Sequence, residues 1–272
     1  MRITVGYDGS PGAHAAVDWA LEEGRRTGAG VHLLFVSPWP VHDAPGPHER
    51  PDVPALYRAE QLLDRAVGVA GRLHPGVRVT REAVPAAVAA TLVERGERSR
   101  LVVLGRRGLG GLPGASLGSV AATVAAHATC PVAVVRPPAP GRRGAPVLVG
   151  VDGSAAADAA LAAAFDTADE RHAPLRVLRA LGPDAGDADV ARETAALDDA
   201  LAVWREKHPG VTAEPVAVPQ AAVPALLHAA RRAQLIVVGA RGAGGFPGLT
   251  LGATGHQVLH HAPAPVLVVR QR

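Results

Sequence analysis

The stretch VGYDGS, residues 5–10, closes a short apolar run and opens a segment whose apolar residues fall at helical spacing. It recurs as VGVDGS at residues 149–154, again between an apolar run and a helical segment. Later segments repeat in the same order, since LVVLG at residues 101–105 has a second version, LIVVG, at residues 235–239. Self-similarity of this kind indicates that one structural unit is present twice.

Between the two copies lies PAPGRRG, residues 138–144, which is rich in Pro and Gly and has no apolar periodicity. Such a segment is typical of a linker. We therefore predict a first domain at residues 1–137, a linker at residues 138–144 and a second domain at residues 145–272. Two domains also suit the length of 272 residues, because a single domain commonly has about 100–200.

Short apolar runs alternate with longer segments of helical period in each copy. Several runs carry β-branched residues at successive positions, which is expected of strands that are covered by helices on both sides. The alternation predicts an α/β fold with two tandem Rossmann-like domains, each a parallel sheet with helices on both faces. In the first copy we expect strands near residues 2–7, 31–36, 77–83, 100–105 and 131–136, and helices near residues 15–23, 56–73, 86–95 and 119–127.

The composition excludes several classes of protein. Hydrophobic residues make up 48% of the chain and charged residues 19%, which indicates a globular protein. Cys130 is the only cysteine, so an internal disulfide and a thiolate cluster for zinc are both excluded. The net charge is only +3 and aromatic residues total 3%, so no nucleic-acid partner is expected. Apolar runs are too short for a membrane span or a signal peptide, and we expect a cytoplasmic protein with no membrane partner.

A glycine-rich stretch follows the fourth strand, at residues 105–119. Glycine lets backbone N–H groups turn toward an anion, and a helix that begins near Ser119 adds further N–H donors and the positive end of its dipole. This combination predicts a phosphate-binding loop, in which the serine hydroxyl donates to the anion and Arg106 and Arg107 neutralise its charge. The alternative is a mobile loop in which Ser119 only caps the helix. The repeat favours the binding loop, with candidates Gly105, Gly108 and Gly118 in the first copy and Gly239, Gly242 and Gly252 in the second.

Asp8 lies in the turn after the first strand, followed closely by Ser10. Ligands of open parallel sheets bind beyond the carboxyl ends of strands where the strand order reverses. Asp8 would therefore face the glycine loop across a crevice and accept hydrogen bonds from ribose hydroxyls. The alternative is that Asp8 or Ser10 caps the next helix, an interaction of about 1 kcal/mol that is compatible with binding. Asp152 is the counterpart of Asp8 in the second copy.

The spacing Gly105-x2-Gly108-x9-Gly118-Ser119 matches the signature G-x2-G-x9-G-[S/T] of ATP-binding universal stress proteins. The VGYDGS start and the PVAVVR end of the first copy also resemble that family, and the resemblance covers essentially the whole chain as two tandem modules. It implies five-stranded parallel sheets, ATP at the glycine loop with Mg²⁺ as an optional companion, and pairing of the modules, within the chain or in a homodimer, through their last strands. It also implies backbone contacts from Val36 to adenine, and Ala180 stands at the matching position of the second copy.

The second copy departs from this signature at one position. Ala253 stands where Ser or Thr is expected, and Thr254 follows it. Loss of a hydroxyl hydrogen bond to a charged group costs about 1.5–3 kcal/mol, roughly ten- to a hundredfold in affinity unless Thr254 compensates. We therefore expect two unequal nucleotide sites, the first of which is stronger.

Other motifs fit less well. No glycine loop contains lysine, which excludes a Walker P-loop, and the loop after the first strand lacks the dinucleotide fingerprint. GASLG, residues 114–118, matches the elbow of serine hydrolases, but Ser116 does not directly follow a strand. His256 and His260 have metal-binding spacing, yet the first copy has alanines there, which favours histidines on a helix surface.

Two functions remain. The first is an ATP-binding stress-response regulator that is non-catalytic or hydrolyses ATP very slowly, because no residue besides Asp8 is an evident base for activating water. In this function, nucleotide occupancy orders the glycine loop and changes the contact with a regulatory protein partner. The alternative is a nucleotide-independent interaction scaffold built on the duplicated α/β module. The intact first signature favours the regulator, with no catalytic residue and no metal ligand assigned.

Overall fold

A computed structural model of the chain describes residues 2–38, 53–110, 116–136, 144–243 and 251–271. The chain divides into two compact units, Met1–Pro137 and Pro138–Arg272. Of the predicted linker, only Gly144 lies among the described residues. Within those ranges, every helix is either too short or too polar to cross a membrane.

The first unit alternates strands and helices along its whole length. Its strands all pair in parallel, in the spatial order β3-β2-β1-β4-β5. The strands are β1 (Arg2–Gly6), β2 (Val31–Pro38), β3 (Val79–Ala86), β4 (Ser99–Gly105) and β5 (Val132–Val135). The helices are α1 (Pro11–Thr27), α2 (Val53–Leu73), α3 (Val88–Gly96) and α4 (Ser119–His127).

The second unit repeats this arrangement, with the parallel order β8-β7-β6-β9-β10. Its strands are β6 (Val147–Gly150), β7 (Leu175–Ala180), β8 (Ala213–Val218), β9 (Leu235–Gly239) and β10 (Val266–Val269). Its helices are α5 (Ala155–Glu170), α6 (Asp187–Lys207), α7 (Ala222–Ala229) and α8 (Ala253–His261), with a short 3-10 turn at Ala230–Arg232. The predicted fold class, two tandem Rossmann-like α/β domains with five-stranded parallel sheets, is confirmed.

Burial explains why several strands of the first unit are mostly apolar. All four residues of β5 are buried, as are Ile3 and Val5 in β1. In the first unit α1 contacts α2, while α3 contacts α4, so that helices cover both faces of the sheet. Helix α1 begins where the Ser10 hydroxyl accepts the N–H of Ala13 at 3.1 Å, and it ends at Gly28, whose φ of 69° suits glycine.

The third strand and the helix after it differ from the predicted bounds. The strand begins at Val79 rather than near residue 77, because the N–H of Val77 donates to the carbonyl of His74 at 3.0 Å in a preceding turn. It extends to Ala86, past Pro85, because β3 is an edge strand of its unit's sheet and a missing N–H is tolerated there. Helix α3 consequently begins later than predicted, at Val88.

We predict that Leu33→Ala destabilises the protein far more than Leu73→Ala. Leu33 is fully buried in β2, whereas Leu73, the last residue of α2, is 63% exposed. Truncation of a buried leucine removes apolar burial and leaves a cavity, at a cost of about 2–5 kcal/mol, while the exposed change costs roughly 0.5 kcal/mol or less. Urea denaturation of the two variants checks this, and equal losses would contradict the assigned burial.

Candidate functional site

The loops that follow β1 and β4 emerge side by side in the first unit. Strand β1 lies between β2 and β4, which is where the strand order reverses along the chain. A binding crevice is expected at the carboxyl edge of a parallel sheet at such a point. A cavity of about 370 Å³ lies there. Its lining includes most of the residues predicted for this unit, namely Asp8, Ser10, Val36, Gly105, Gly108, Gly118 and Ser119.

Asp8 joins the turn after β1 to the glycine loop. Its Oδ1 accepts the N–H of Ser10 at 2.9 Å, and its Oδ2 accepts the N–H of Leu109 at 2.8 Å. A Cβ at Gly108 would overlap Oδ2, so glycine is needed for the loop to come this close. We name these two hydrogen bonds the Asp8 clasp. The clasp holds the first part of the glycine loop at the edge of the cavity.

The other two glycines of the signature differ in what requires them. A Cβ at Gly105 would overlap the backbone of Gly12 in the first turn of α1, so this glycine allows the loop and the helix to touch. A Cβ at Gly118 would meet its nearest atom, the Arg106 carbonyl oxygen, at 3.4 Å, which is close to ordinary contact. The protein's own packing therefore demands glycine at 105 but not at 118.

The start of α4 presents N–H groups to the cavity. Gly118 is the N-cap residue, and its N–H donates to the carbonyl of Arg106 at 2.8 Å. The N–H of Ala122 donates to the Gly118 carbonyl at 3.0 Å, so the N–H groups of residues 119–121 precede the first helical hydrogen bond. These three residues line the cavity, and the positive end of the helix dipole faces it.

Ser119 occupies the first helical position and is exposed. The alternative in which Ser119 caps the helix is therefore wrong, because Gly118 holds the capping position. Ser119 lines the cavity at the first turn of α4, beside the N–H groups described above.

Ser10 is the residue that acts as a cap. Its hydroxyl accepts the N–H of Ala13 at 3.1 Å and donates to the carbonyl oxygen of Arg107 at 3.4 Å. The side chain is almost completely buried. Ser10 thus lines the cavity while its hydroxyl connects the start of α1 to the glycine loop.

Val36 directs backbone polar groups toward the cavity. Tyr7 donates its N–H to the Leu34 carbonyl at 2.9 Å, so the polar groups of Leu34 face the β1 side of strand β2. Groups two residues apart on a parallel strand face the same side, and the paired part of β1 ends at Gly6 opposite Leu34. The N–H and carbonyl of Val36 therefore face the space beyond β1. Apolar side chains of Leu34, Val36, Val88, Leu92 and Leu104 line the cavity around them.

Arg106 does not line this cavity. It lines a neighbouring one together with Arg107 and Arg136, whereas Arg107 lines both. Gly105 and Arg107 face the main cavity, and successive residues at the end of a strand point to opposite sides, so Arg106 points away. Burial, with the positive charges of Arg136 and Arg107, lowers the pKa of Arg106 to about 10.

The second unit repeats the aspartate contact. Asp152 Oδ1 accepts the N–H of Ser154 at 3.0 Å, and Oδ2 accepts the N–H of Ala243 at 2.7 Å. Burial raises the pKa of the Asp152 carboxyl, but hydrogen bonds from Ser154 and from the N–H of Ala243 outweigh it and hold this pKa below its ordinary value. The carboxylate is therefore charged at neutral pH. A Cβ at Gly242 would lie 2.5 Å from Oδ2, as at Gly108 in the first unit.

The cavity of the second unit is larger, at about 500 Å³. Helix α8 begins at Ala253 after the N-cap Gly252, so the first helical position has no hydroxyl. Ala180 and Ala222 stand where the first unit has Val36 and Val88, which leaves more space. All the residues predicted for this unit line the cavity, namely Asp152, Ala180, Gly239, Gly242, Gly252 and Thr254.

Sequence reasoning missed the apolar lining of the cavity, formed by Leu34, Val88, Leu92 and Leu104, and three further contributors. The N–H of Leu109 has no sequence signal, because any residue supplies it. Gly12 did have a sequence signal, because a glycine inside the first turn of a helix is costly. A Cβ there would overlap the Arg107 carbonyl. The position of Arg136 near the site could be predicted only with the register of β4 against β5. Residues 111–115 and 244–250 of the two loops lie outside the described part of the chain.

Ser116 and the α8 histidines, which belong to the two motifs rejected from the sequence, are among the described residues. Strand β4 ends at Gly105, eleven residues before Ser116. The rings of His256 and His260 lie 4.4 Å apart on α8. No group of three or more His, Cys, Asp or Glu side chains in the described ranges could hold a metal ion.

Comparison with known proteins points to one family. The sequence profile described as "Universal stress protein family" matches residues 1–136 and 145–270. The chain is 36% identical to the universal stress protein Rv1996 of Mycobacterium tuberculosis, with 99% of this chain and 95% of the relative covered. It is also 36% identical to Rv2623 of the same organism, with 100% and 97% covered. A crystal structure of a universal stress protein from Archaeoglobus fulgidus has the same fold, with a TM-score of 0.72, 19% identity, and 99% and 98% covered.

We predict that Asp8→Ala accelerates hydrogen exchange at the N–H of Leu109. The exposed Leu109 amide is protected by a carboxylate acceptor, and loss of a charged hydrogen bond worth about 1.5–3 kcal/mol corresponds to roughly tenfold or faster exchange. Mass spectrometry of peptides that contain Leu109 and Ala243 measures the effect.

Asp152→Ala is the matched control, because it should accelerate exchange at Ala243 and leave Leu109 unchanged. Unchanged exchange at Leu109 in the Asp8 variant would show that the clasp does not hold the loop.

Proposed function

The chain belongs to the universal stress protein family, and on that premise we propose that it is a stress-response regulator whose first unit binds an adenine nucleotide, ATP. The observation that carries this proposal is the arrangement of donors around one cavity. The glycine loop and the N–H groups at the start of α4 lie on one side of it, and the Asp8 carboxylate lies at the end of β1. Backbone donors at a helix N-terminus bind phosphate, and a carboxylate at the end of a central strand binds ribose.

The phosphates of the nucleotide would lie against α4. The N–H groups of residues 119–121 and the Ser119 hydroxyl supply donors there, and the helix dipole favours negative charge. Since Gly118 is not required by the packing of the protein, we propose that its missing side chain leaves room for a phosphate group. The resemblance to the family signature assigns the same residues.

The nucleoside would lie between Asp8 and the apolar lining. A carboxylate has about four acceptor positions, and the Asp8 clasp uses only one hydrogen bond on each oxygen. The remaining positions would accept ribose hydroxyls. Adenine would then pack against Leu34, Val88 and Leu92, with its polar edge toward the backbone of Val36.

Regulation follows from the double use of Asp8. The same carboxylate holds the N–H of Leu109 and would bind the ribose, so nucleotide occupancy and the position of the glycine loop depend on each other. We propose that this coupling changes the surface that the loop offers to a protein partner. Among the described residues that line the cavity, Asp8 is the acidic side chain, and its use in binding makes it a poor base for hydrolysis.

We propose that the second unit binds the same nucleotide more weakly. Ala253 removes the hydroxyl from the start of α8, and the larger cavity makes fewer contacts with a base. Thr254 lines the cavity at the next helical position and compensates only in part. Mg²⁺ would reach either site bound to the phosphates of ATP.

We predict that Gly118→Asp abolishes ATP binding to the first unit without unfolding it. Aspartate is a favourable N-cap residue, and a Cβ at 118 fits the protein. Its carboxylate, however, would take the space proposed for a phosphate and repel it. Calorimetric titration of ATP, with and without Mg²⁺, measures binding, and thermal unfolding confirms the fold.

Gly252→Asp is the matched variant of the second unit and should remove only the weaker binding. If the wild-type protein gives no heat of binding at millimolar ATP, the proposal is contradicted. The nucleotide-independent interaction scaffold would then be the favoured function.

We predict opposite effects from exchanging one hydroxyl between the units. Ser119→Ala should weaken ATP binding to the first unit by roughly tenfold or more, because a hydrogen bond to a charged group is lost. Ala253→Ser should strengthen the second site by a similar factor. Calorimetry checks both predictions, with the other unit's site blocked by Gly252→Asp or Gly118→Asp. An unchanged ATP affinity in both variants would exclude a hydroxyl contact to phosphate.

A further inference from the structure

We propose that Arg106, Arg107 and Arg136 form a second anion subsite in the first unit, which binds the terminal phosphates of a nucleoside triphosphate. We name these three side chains the arginine subsite. The inference rests on the proposed function, because it assigns the outer end of the same ligand. It makes the first unit selective for a triphosphate over a monophosphate.

The register of two strands places two of these arginines next to each other. Gly105 of β4 lies opposite Val135 of β5, so the residues that follow leave the sheet side by side. The N–H of Arg106 donates to the Val135 carbonyl at 2.9 Å and fixes this arrangement. Arg106 and Arg136 therefore begin at neighbouring points of the carboxyl edge, which is the edge that holds the main cavity.

The three arginines line a second cavity that shares part of its wall with the main one. This outer cavity has a volume of about 640 Å³. Ser10, Arg107, Gly108 and Leu109 line both cavities, so the two cavities adjoin at these residues. In this proposal the terminal phosphates of a ligand held at α4 would lie on the arginine side of them. Among the described residues, the lining of the outer cavity contains three arginines and no acidic side chain.

This arrangement of positive charge favours an anion. Burial, and after it the nearby positive charges of Arg136 and Arg107, lower the pKa of Arg106 to about 10. Like charges that lie close together repel one another. A polyphosphate chain would offset that repulsion, and guanidinium groups bind phosphate oxygens through paired hydrogen bonds.

The second unit lacks one of the three charges. Val269 lies opposite Gly239 in the same register, and the N–H of Ala240 donates to the Val269 carbonyl at 2.7 Å. Ala240 therefore stands where the first unit has Arg106, whereas Arg241 and Arg270 remain. The backbone at this position accepts alanine, so Arg106→Ala is a variant that should fold. We expect the second unit to discriminate less between ATP and AMP.

The test compares AMP, ATP and inorganic triphosphate by calorimetry in the full chain, with the second site blocked by Gly252→Asp. In this background, Arg136→Gln should lower the affinity for ATP and for inorganic triphosphate by roughly tenfold or more, because charged hydrogen bonds are lost. The affinity for AMP should change by less than about twofold. Arg106→Ala should behave in the same way and guards against a folding defect in the first variant.

Arg98→Gln is the matched control. Arg98 is exposed and precedes β4, at the amino edge of the same sheet, so its removal changes the net charge equally and should leave all three affinities unchanged. If Arg136→Gln and Arg106→Ala weaken ATP no more than AMP, or no more than Arg98→Gln does, the arginine subsite is excluded while nucleotide binding stands.

The two proposals fail separately. If the blocked parent binds inorganic triphosphate but neither nucleotide, and Arg136→Gln abolishes this, the arginine subsite exists and the nucleotide proposal is wrong. If the blocked parent binds none of the three ligands, both proposals are overturned.

Discussion

One aspartate in each unit holds two loops together at the carboxyl edge of the sheet. Its carboxylate accepts one N–H from its own turn and one from the glycine loop, with Asp8 in the first unit and Asp152 in the second. This contact requires glycine at 108 and 242, because a Cβ would reach the carboxylate oxygen. The cavity, its donors and the proposed coupling to a nucleotide all depend on that contact.

Hydrogen-bond donors and positively charged side chains from separate parts of the sequence meet at this edge. The first turn of α4 supplies backbone N–H groups, and the ends of β4 and β5 supply Arg106 and Arg136. Burial and the neighbouring arginines both disfavour the charged form of Arg106 and lower its pKa. We propose that a bound polyphosphate would offset this cost, so that affinity and selectivity for a triphosphate would arise together. The two units share the aspartate and the glycines, but they differ in the hydroxyl and in one arginine, which fits two sites of unequal strength.

The fold was predictable because its signals are local and repeated. Apolar runs, helical periodicity and the recurrence of VGYDGS as VGVDGS were sufficient for two parallel α/β domains. The residues predicted for the site, except Arg106, line the main cavity of the first unit and the cavity of the second. They do so because parallel strands bring their carboxyl ends to one edge. Contacts that depend on register or on backbone groups were not predictable. The Leu109 amide, the proximity of Arg136 to Arg106, and the start of β3 after the turn at Val77 belong to that class.

The central claim is that backbone N–H groups at the start of α4, together with Asp8, hold a nucleotide in the first unit. A crystal structure of the protein soaked with millimolar ATP tests it most directly. The account predicts phosphate density within hydrogen-bond distance of the N–H groups of residues 119–121, and ribose hydroxyls at the Asp8 carboxylate. Phosphate density elsewhere on the unit, or a crevice between β1 and β4 that stays empty under those conditions, would contradict it.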